Sequence, residues 1–240
     1  MNIGLIFGGK SFEHDISIIT ANLAYHALKE EHTVHLLYID REGNFKYIKK
    51  LNVEDFINEN KKFSKFSFAK NGIMYKCKKI MLDVIISAMH GTNGEDGVSS
   101  VIANLYNIPF VGSNHISSGV LLDKYFSYAV LCSNGIRTID TEFRYRNDKV
   151  DFDKYPLIIK PSRLGSSIGI YKANDENELI INLNKAFMFD NKVVIQPFIK
   201  EFKEYNQAVY INCGKLVFSN VEEVFKSDNI LSFDDKYYQI

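Results

Sequence analysis

The sequence has no tryptophan, only four prolines and three cysteines, and no net charge over its 240 residues. With 29 Lys and Arg set against 29 Asp and Glu, it has no basic excess with which to hold nucleic acid or an anionic membrane surface. A polyanionic ligand must therefore be met locally, by a few placed cations. Cys77, Cys132 and Cys213 are far apart and show neither CxxC nor Cys/His metal spacing. They read as reduced thiols at or near the core rather than as a disulfide framework. No stretch approaches the roughly 20 apolar residues that a membrane span needs. The opening Met1–Phe7 also lacks the basic segment of a signal peptide. The expectation is a cytoplasmic protein with neither nucleic-acid nor membrane partners.

What is present is ordinary globular material, 46% hydrophobic and 24% charged, enough for one large domain or two to three small ones. The apolar run Ile3–Phe7 ends in Gly8-Gly9. A helical pattern follows from Ile16 to Leu28, then a strand-like run from His35 to Ile39. This order reads as a βαβ unit of a parallel sheet. Arg41-Glu42-Gly43-Asn44 reads as a hairpin turn, and the lysine-rich stretch 49–71 as surface. Leu82–Ala88 is the next strand; a loop through residue 97, a helix at Val98–Tyr106 and a short strand at Pro109–Val111 follow it. A single helix is expected over about Ser117–Ser133. Beyond it come a strand at Leu157–Lys160, a Gly/Ser loop at 165–169, a strand at Ile170-Tyr171 and a helix over Asp175–Phe189. Strands at Val193–Gln196, Tyr205–Ile211 and Lys215–Val224 complete an α+β pattern, unlike the first third.

Three loops look chemical. In Lys160-Pro161-Ser162-Arg163-Leu164-Gly165-Ser166-Ser167-Ile168-Gly169, a strand delivers a lysine into a small-residue loop. Such a loop lets backbone N–H groups and hydroxyls approach phosphate oxygens closely, and the lysine adds a point charge. An ordinary hairpin turn is the alternative. In Gly8–Ser17 the loop lies beyond the carboxyl end of a parallel strand, where ligands collect. There Glu13 reads as the ligand candidate and Asp15 as the helix cap, although either acid could serve a helix N-terminus. The third loop is Met89–Gly97. His90, among glycines after a buried strand, reads as a ligand contact, while Glu95 and Asp96 read as acids that begin the next helix.

Taken in order, these segments resemble D-alanine–D-alanine ligases. Gly8-Gly9-Lys10-Ser11-Phe12-Glu13-His14-Asp15-Ile16-Ser17 is similar to their GGxSxExxxS opening, and His90–Gly97 to their HGxxGEDG loop. Ile108–Ser113, Asp123-Lys124 and Lys160–Gly169 continue the match, which spans essentially the whole chain. The resemblance implies an ATP-grasp fold: an α/β N-terminal, Rossmann-like domain with a parallel sheet over 1–112, a central α+β subdomain over 113–195, and the start of a last, incomplete subdomain over 196–240. It implies a cytoplasmic, homodimeric enzyme that uses ATP and Mg2+ to join two D-alanines for peptidoglycan, through an acyl phosphate. By the same resemblance, Lys124 and Lys160 contact the ATP phosphates under a loop holding Ser166 and Ser167. Glu13 holds the amino group of the first D-alanine, with Ser166 and Tyr237 as catalytic companions, and His90 lies near the first D-alanine carboxylate. Gln196 stands where the family usually has a glutamate facing adenine; Ile199 and Glu204 belong to the same ATP site, Glu204 at the ribose. Ser232–Tyr237 is similar to a mobile DYxxKY loop that places Lys236 at phosphate and Tyr237 at the amine.

The resemblance also implies magnesium ligands, and none of the matching positions supplies them: they are expected beyond residue 240. Two further readings follow, a catalytically impaired or nucleotide-binding remnant of such a ligase, and an ATP-grasp ligase with another amino-acid acceptor.

Overall fold

The computed structural model describes residues 1–57 and 63–224. In chain order the first elements are β1 (Asn2–Gly8), α1 (His14–Leu28), β2 (Thr33–Ile39), β3 (Phe45–Ile48), α2 (Glu54–Ile57), β4 (Ser64–Ala69), β5 (Gly72–Tyr75), β6 (Lys78–Met81) and β7 (Val84–Ser87). Then come α3 (Val98–Leu105), β8 (Phe110–Val111), α4 (His115–Leu122) and α5 (Lys124–Ser133). The second half adds β9 (Glu142–Tyr145), β10 (Leu157–Pro161), β11 (Tyr171–Ala173), α6 (Glu176–Ala186) and β12 (Lys192–Pro197). It closes with β13 (Glu204–Asn206), β14 (Val209–Asn212), β15 (Lys215–Phe218) and β16 (Glu222–Val224). The described residues fall into two compact units, one within 1–138 with 162–164 and the other within 139–161 with 165–224.

The first unit is built on one sheet in the order β6-β5-β4-β3-β2-β1-β7-β8. β1 is apolar at successive positions because it is buried on both faces, as the strands of a covered parallel sheet are. Its alternate residues face opposite ways. Leu5 and Phe7 meet Ile18 and Ala21 of α1 on one face, while Ile6 shares the other with Ala103 of α3. The neighbours β2, β7 and β8 run parallel, as the βαβ pattern leads one to expect. From β2 outward, however, every pairing is antiparallel. The stretch 49–71 is therefore not simply surface. In β4, Lys65 and Ser67 point outward while Phe66 and Phe68 are buried in the core, and lysine frequency hid the period-2 alternation.

Two other expectations change. The single helix over Ser117–Ser133 is two helices, broken at Asp123, whose carboxylate accepts from Tyr125 and Phe126 N–H and starts α5 afresh. All three cysteines are exposed, not core. Cys77 and Cys213 occupy turns with positive φ (59° and 48°), where local backbone geometry outweighs any apolar preference.

The second unit's main sheet has the order β11-β10-β12-β9. One face carries Leu157, Ile159, Val193 and Ile195 against Leu179, Leu183 and Ala186 of α6. Those helix residues recur at the i, i+4, i+7 spacing of an amphipathic stripe. Asp175 caps α6 by accepting from Glu178 N–H at 2.9 Å. β13 pairs with β16 and β14 with β15, as two short antiparallel ribbons; each of the two long strands expected there is interrupted between its ribbon halves. Among the described residues no helix is long and apolar enough to cross a membrane.

Candidate functional site

The candidate residues divide between the two units. In the first, β1 delivers the chain to Gly8 (φ 88°), where a Cβ would run into the carbonyl of Ile39. Only glycine permits this turn. Ser17 of α1 then locks it: its Oγ accepts from Gly8 N–H (2.7 Å) and donates to the Ala88 carbonyl (2.8 Å), joining the ends of β1 and β7. Within the turn, Ser11 Oγ accepts from Glu13 N–H at 3.0 Å. Glu13 is 3% exposed and occupies the residue before α1, but its side chain makes no capping hydrogen bond. Asp15 does not cap either. It lies in the first turn and pairs with Arg41 at 2.8 Å.

His14 is buried beside Glu13, and its two ring nitrogens have distinct partners. Nδ1 is 2.5 Å from the Gly9 carbonyl, which can only accept, so Nδ1 carries the proton. Nε2 then accepts from the Tyr38 hydroxyl at 3.1 Å. Both shifts agree with this assignment. Burial holds the His14 pKa below its usual value, and burial first, then Asp40, pushes Tyr38 up to about 12. The imidazole is neutral and the phenol keeps its proton.

The loop after β7 packs against this turn. At Gly91 (φ 61°) an added Cβ would stand 2.5 Å from Ser11 Oγ and 2.6 Å from Glu13 Oε2. A bare backbone is thus required for the second motif to close on the first. Next to it, His90 Nε2 is 2.8 Å from Thr20 Oγ1 of α1, and Nδ1 is 3.9 Å from Glu95 Oε1. Glu95 does not begin α3. Its Oε2 accepts from Gly91 N–H (3.1 Å), and the facing His90 leads the causes that hold its carboxyl below the usual range. Asp96 does reach α3, accepting from Val98 N–H at 3.1 Å as well as from Asn93 N–H. The same loop walls an open groove lined by Ser87, Met89, Glu95, Phe110, Ser113 and Leu122.

Lys124 opens α5. Its N–H donates to the Ser162 carbonyl (2.9 Å) and its ammonium to the Leu164 carbonyl (2.6 Å). Ser162 Oγ donates to Asp123, which is itself buried. Residues 162–164 are thereby fastened to the start of α5.

In the second unit Lys160 and Gln196 share the sheet face opposite α6. Lys160 lies across from Val194, which makes Gln196 its diagonal neighbour. Lys160 Nζ donates to Gln196 Oε1 at 2.9 Å, and Gln196 Nε2 donates to Thr141 Oγ1 at 2.8 Å. Thr141 in turn donates to the Ile139 carbonyl at 2.9 Å. An ammonium offers only donors, so the amide oxygen must face Lys160. Burial lowers the Lys160 pKa. Ser166 and Ser167 are half-buried and both lie in the left-handed region, at φ 52° and 59°. Two such residues in succession cost energy that an ordinary turn avoids by using glycine or asparagine. Ile199 is exposed beyond β12, and Glu204, half-buried, begins β13. Lys236 and Tyr237 lie outside the described residues.

Thr20, His14, Ser17, Glu95, Asp123 and Thr141 were not read as site residues from sequence. Ser17, Glu95 and Asp123 stood inside the matching motifs with no site role of their own, and Thr20 is seven residues, about two helical turns, beyond Glu13 and so on the same side of α1. Among the described residues no three of His, Cys, Asp or Glu are grouped as a metal would need.

The family model described as "D-ala D-ala ligase N-terminus" matches residues 2–113, and "D-ala D-ala ligase C-terminus" matches 125–240. The D-alanine--D-alanine ligase of Campylobacter concisus (strain 13826) is 36% identical over 244 residues, covering 99% of this chain and 69% of the relative. The crystal structure of D-Alanine-D-Alanine Ligase from Helicobacter pylori superposes with a TM-score of 0.86 at 32% identity, covering 95% of this chain and 76% of that one. D-alanine--D-Alanine Ligase from Bacillus anthracis, solved complexed with ATP, gives a TM-score of 0.65 at 27% identity over 93% and 66% of the two chains.

Proposed function

The chain belongs to the D-alanine–D-alanine ligase family, and from that membership we propose how its own residues share the work. The protein is an ATP-dependent ligase with the ATP-grasp fold of that family, and it joins two D-alanines into the dipeptide used for peptidoglycan. A carboxylate of one D-alanine takes the γ-phosphoryl of ATP, and the amine of the second displaces phosphate from the acyl phosphate so formed. Positioning and charge stabilisation carry such a reaction, because the transferring phosphoryl spreads negative charge over its oxygens.

The observation that supports the site assignment most is the fit of Gly91 against Ser11 and Glu13, which brings the two expected substrate motifs together at a buried carboxylate. Glu13 holds the ammonium of the first D-alanine, and His90 stands near its carboxylate. Lys160 and Lys124 serve the ATP phosphates. The Lys124 ammonium donates to the Leu164 carbonyl at the start of the loop's approach. Ser166 and Ser167 face the phosphates through a loop held in a costly backbone conformation. Gln196 and Ile199 take the base side, Gln196 presenting an amide whose oxygen already accepts from Lys160, and Glu204 takes the ribose. Lys236 and Tyr237 complete the phosphate and amine sides. Mg2+ belongs to this reading as the partner of the ATP phosphates. The described residues offer no carboxylate cluster to ligate it, so no step is assigned to it. The enzyme works in the cytoplasm as a homodimer, for which exposed Ile19 and Leu23 of α1 supply apolar surface.

Glu13→Gln tests the assignment. It removes a charge-assisted hydrogen bond and is expected to raise the KM for D-alanine about 10- to 100-fold in a phosphate-release assay, with the KM for ATP little changed. Equal loss of both would count against the role.

A further inference from the structure

The His90 ring has one hydrogen-bonding partner and one facing carboxylate. Thr20 Oγ1 lies 2.8 Å from Nε2, and the Glu95 carboxylate lies 3.9 Å from Nδ1. The ring therefore bridges α1 to the loop after β7, and Glu95 closes the circuit by also accepting from Gly91 N–H, the residue packed on Glu13. The other charge acting on Glu95 is Lys124, which favours its ionised form.

We infer that Thr20 is a positioning residue of the first-substrate site, fixing the plane and tautomer of His90. This rests on the reading of His90 as a substrate contact. The Glu95 carboxylate facing Nδ1 favours the tautomer whose ring hydrogen points toward it. Nε2 is then an acceptor, and the Thr20 hydroxyl donates to it. Thr20 acts at one remove, and nothing in this arrangement requires it to touch substrate.

The test compares Thr20→Val, which keeps the shape and removes the hydroxyl, with Thr20→Ser, which keeps the hydroxyl. Two readouts are taken on the protein: ring nitrogen shifts of 15N-labelled His90, and the KM values for D-alanine and ATP by phosphate release. The wild type is expected to show the Nδ1–H tautomer. Thr20→Val is expected to mix the tautomers and raise the D-alanine KM about tenfold, the worth of one hydrogen bond, while the ATP KM stays put. Thr20→Ser is expected to restore both readouts. Equal failure of the Val and Ser variants overturns the inference, because keeping the hydroxyl would then rescue nothing. A D-alanine KM raised by His90→Ala and untouched by Thr20→Val overturns it while sparing the His90 assignment. If His90→Ala itself leaves that KM unchanged, both fall.

Discussion

The two units treat their polar candidates differently. In the first, Ser11, Glu13, His14, Ser17 and Asp123 are all buried, and most are fastened by hydrogen bonds that cross from one element to another. In the second, Lys160, Ser166, Ser167, Gln196 and Glu204 are only partly buried, on or beside a sheet whose packed core lies on its other face. Burying a polar group costs several kcal/mol unless its partners are in place. The first unit meets that requirement at His14 and Ser17 with the Gly9 carbonyl, Tyr38 of β2 and the Ala88 carbonyl after β7. The second leaves its cations and amide where solvent or ligand can complete them. A site for a small amino acid can be preformed, while a site for phosphates can remain partly open.

The largest effect that would sharpen this contrast is in the cores. Ile159 is fully buried in the single cluster beneath α6, so Ile159→Ala is expected to cost about 2–5 kcal/mol. Hydrogen exchange should speed up across β10, β11 and β12 and leave β1 and β2 protected; loss of protection in both units together would break the distinction. Next is Gly91→Ala, which adds a methyl group against Ser11 and Glu13 at a left-handed φ. A cost of about 1–3 kcal/mol is expected, measured as a drop in Tm, together with a raised KM for D-alanine and an unchanged KM for ATP. Lys160→Ala should do the reverse. ATP affinity should weaken about tenfold, one charged hydrogen bond's worth, as read by calorimetric titration, with little change in stability.

The smallest effect is a slope with pH, and it belongs to the first unit alone. All six histidines lie at or before His115. Burial depresses the pKa of His14 and of His35 below the ordinary 6.5. The unfolded chain therefore takes up protons near pH 6.5 that the folded chain refuses. Stability from these groups is full above about pH 6.5 and is lost as the pH falls toward their depressed folded values. Exchange protection should decline from pH 7.5 to 5.5 in the first unit and hold steady over β10–β12, and His14→Gln should flatten the slope.

The motif loops were legible because their residue types have few other uses. Gly8-Gly9, the glycines around His90 and the strand-delivered Lys160 all sit where the fold needs a bare backbone or a charge. The antiparallel wing was missed because β4 alternates lysine and serine with Phe66 and Phe68 in a lysine-rich stretch. The break at Asp123 was missed because an aspartate inside a helical pattern looks like a tolerated polar residue until its carboxylate is seen to cap α5.

By itself the sequence determined the order of elements around β1, the family, and the identity of Glu13, His90, Lys124 and Lys160 as candidates, since all of these depend on local pattern and residue chemistry. Tertiary structure alone decided the partners. That Glu95 braces His90 instead of starting α3, that Thr20 reaches the ring from α1, and that Gln196 turns its oxygen to Lys160 are contacts between residues 5, 70 and 36 positions apart. No local preference encodes such contacts. They arise only when strand pairing and helix packing bring donor to acceptor.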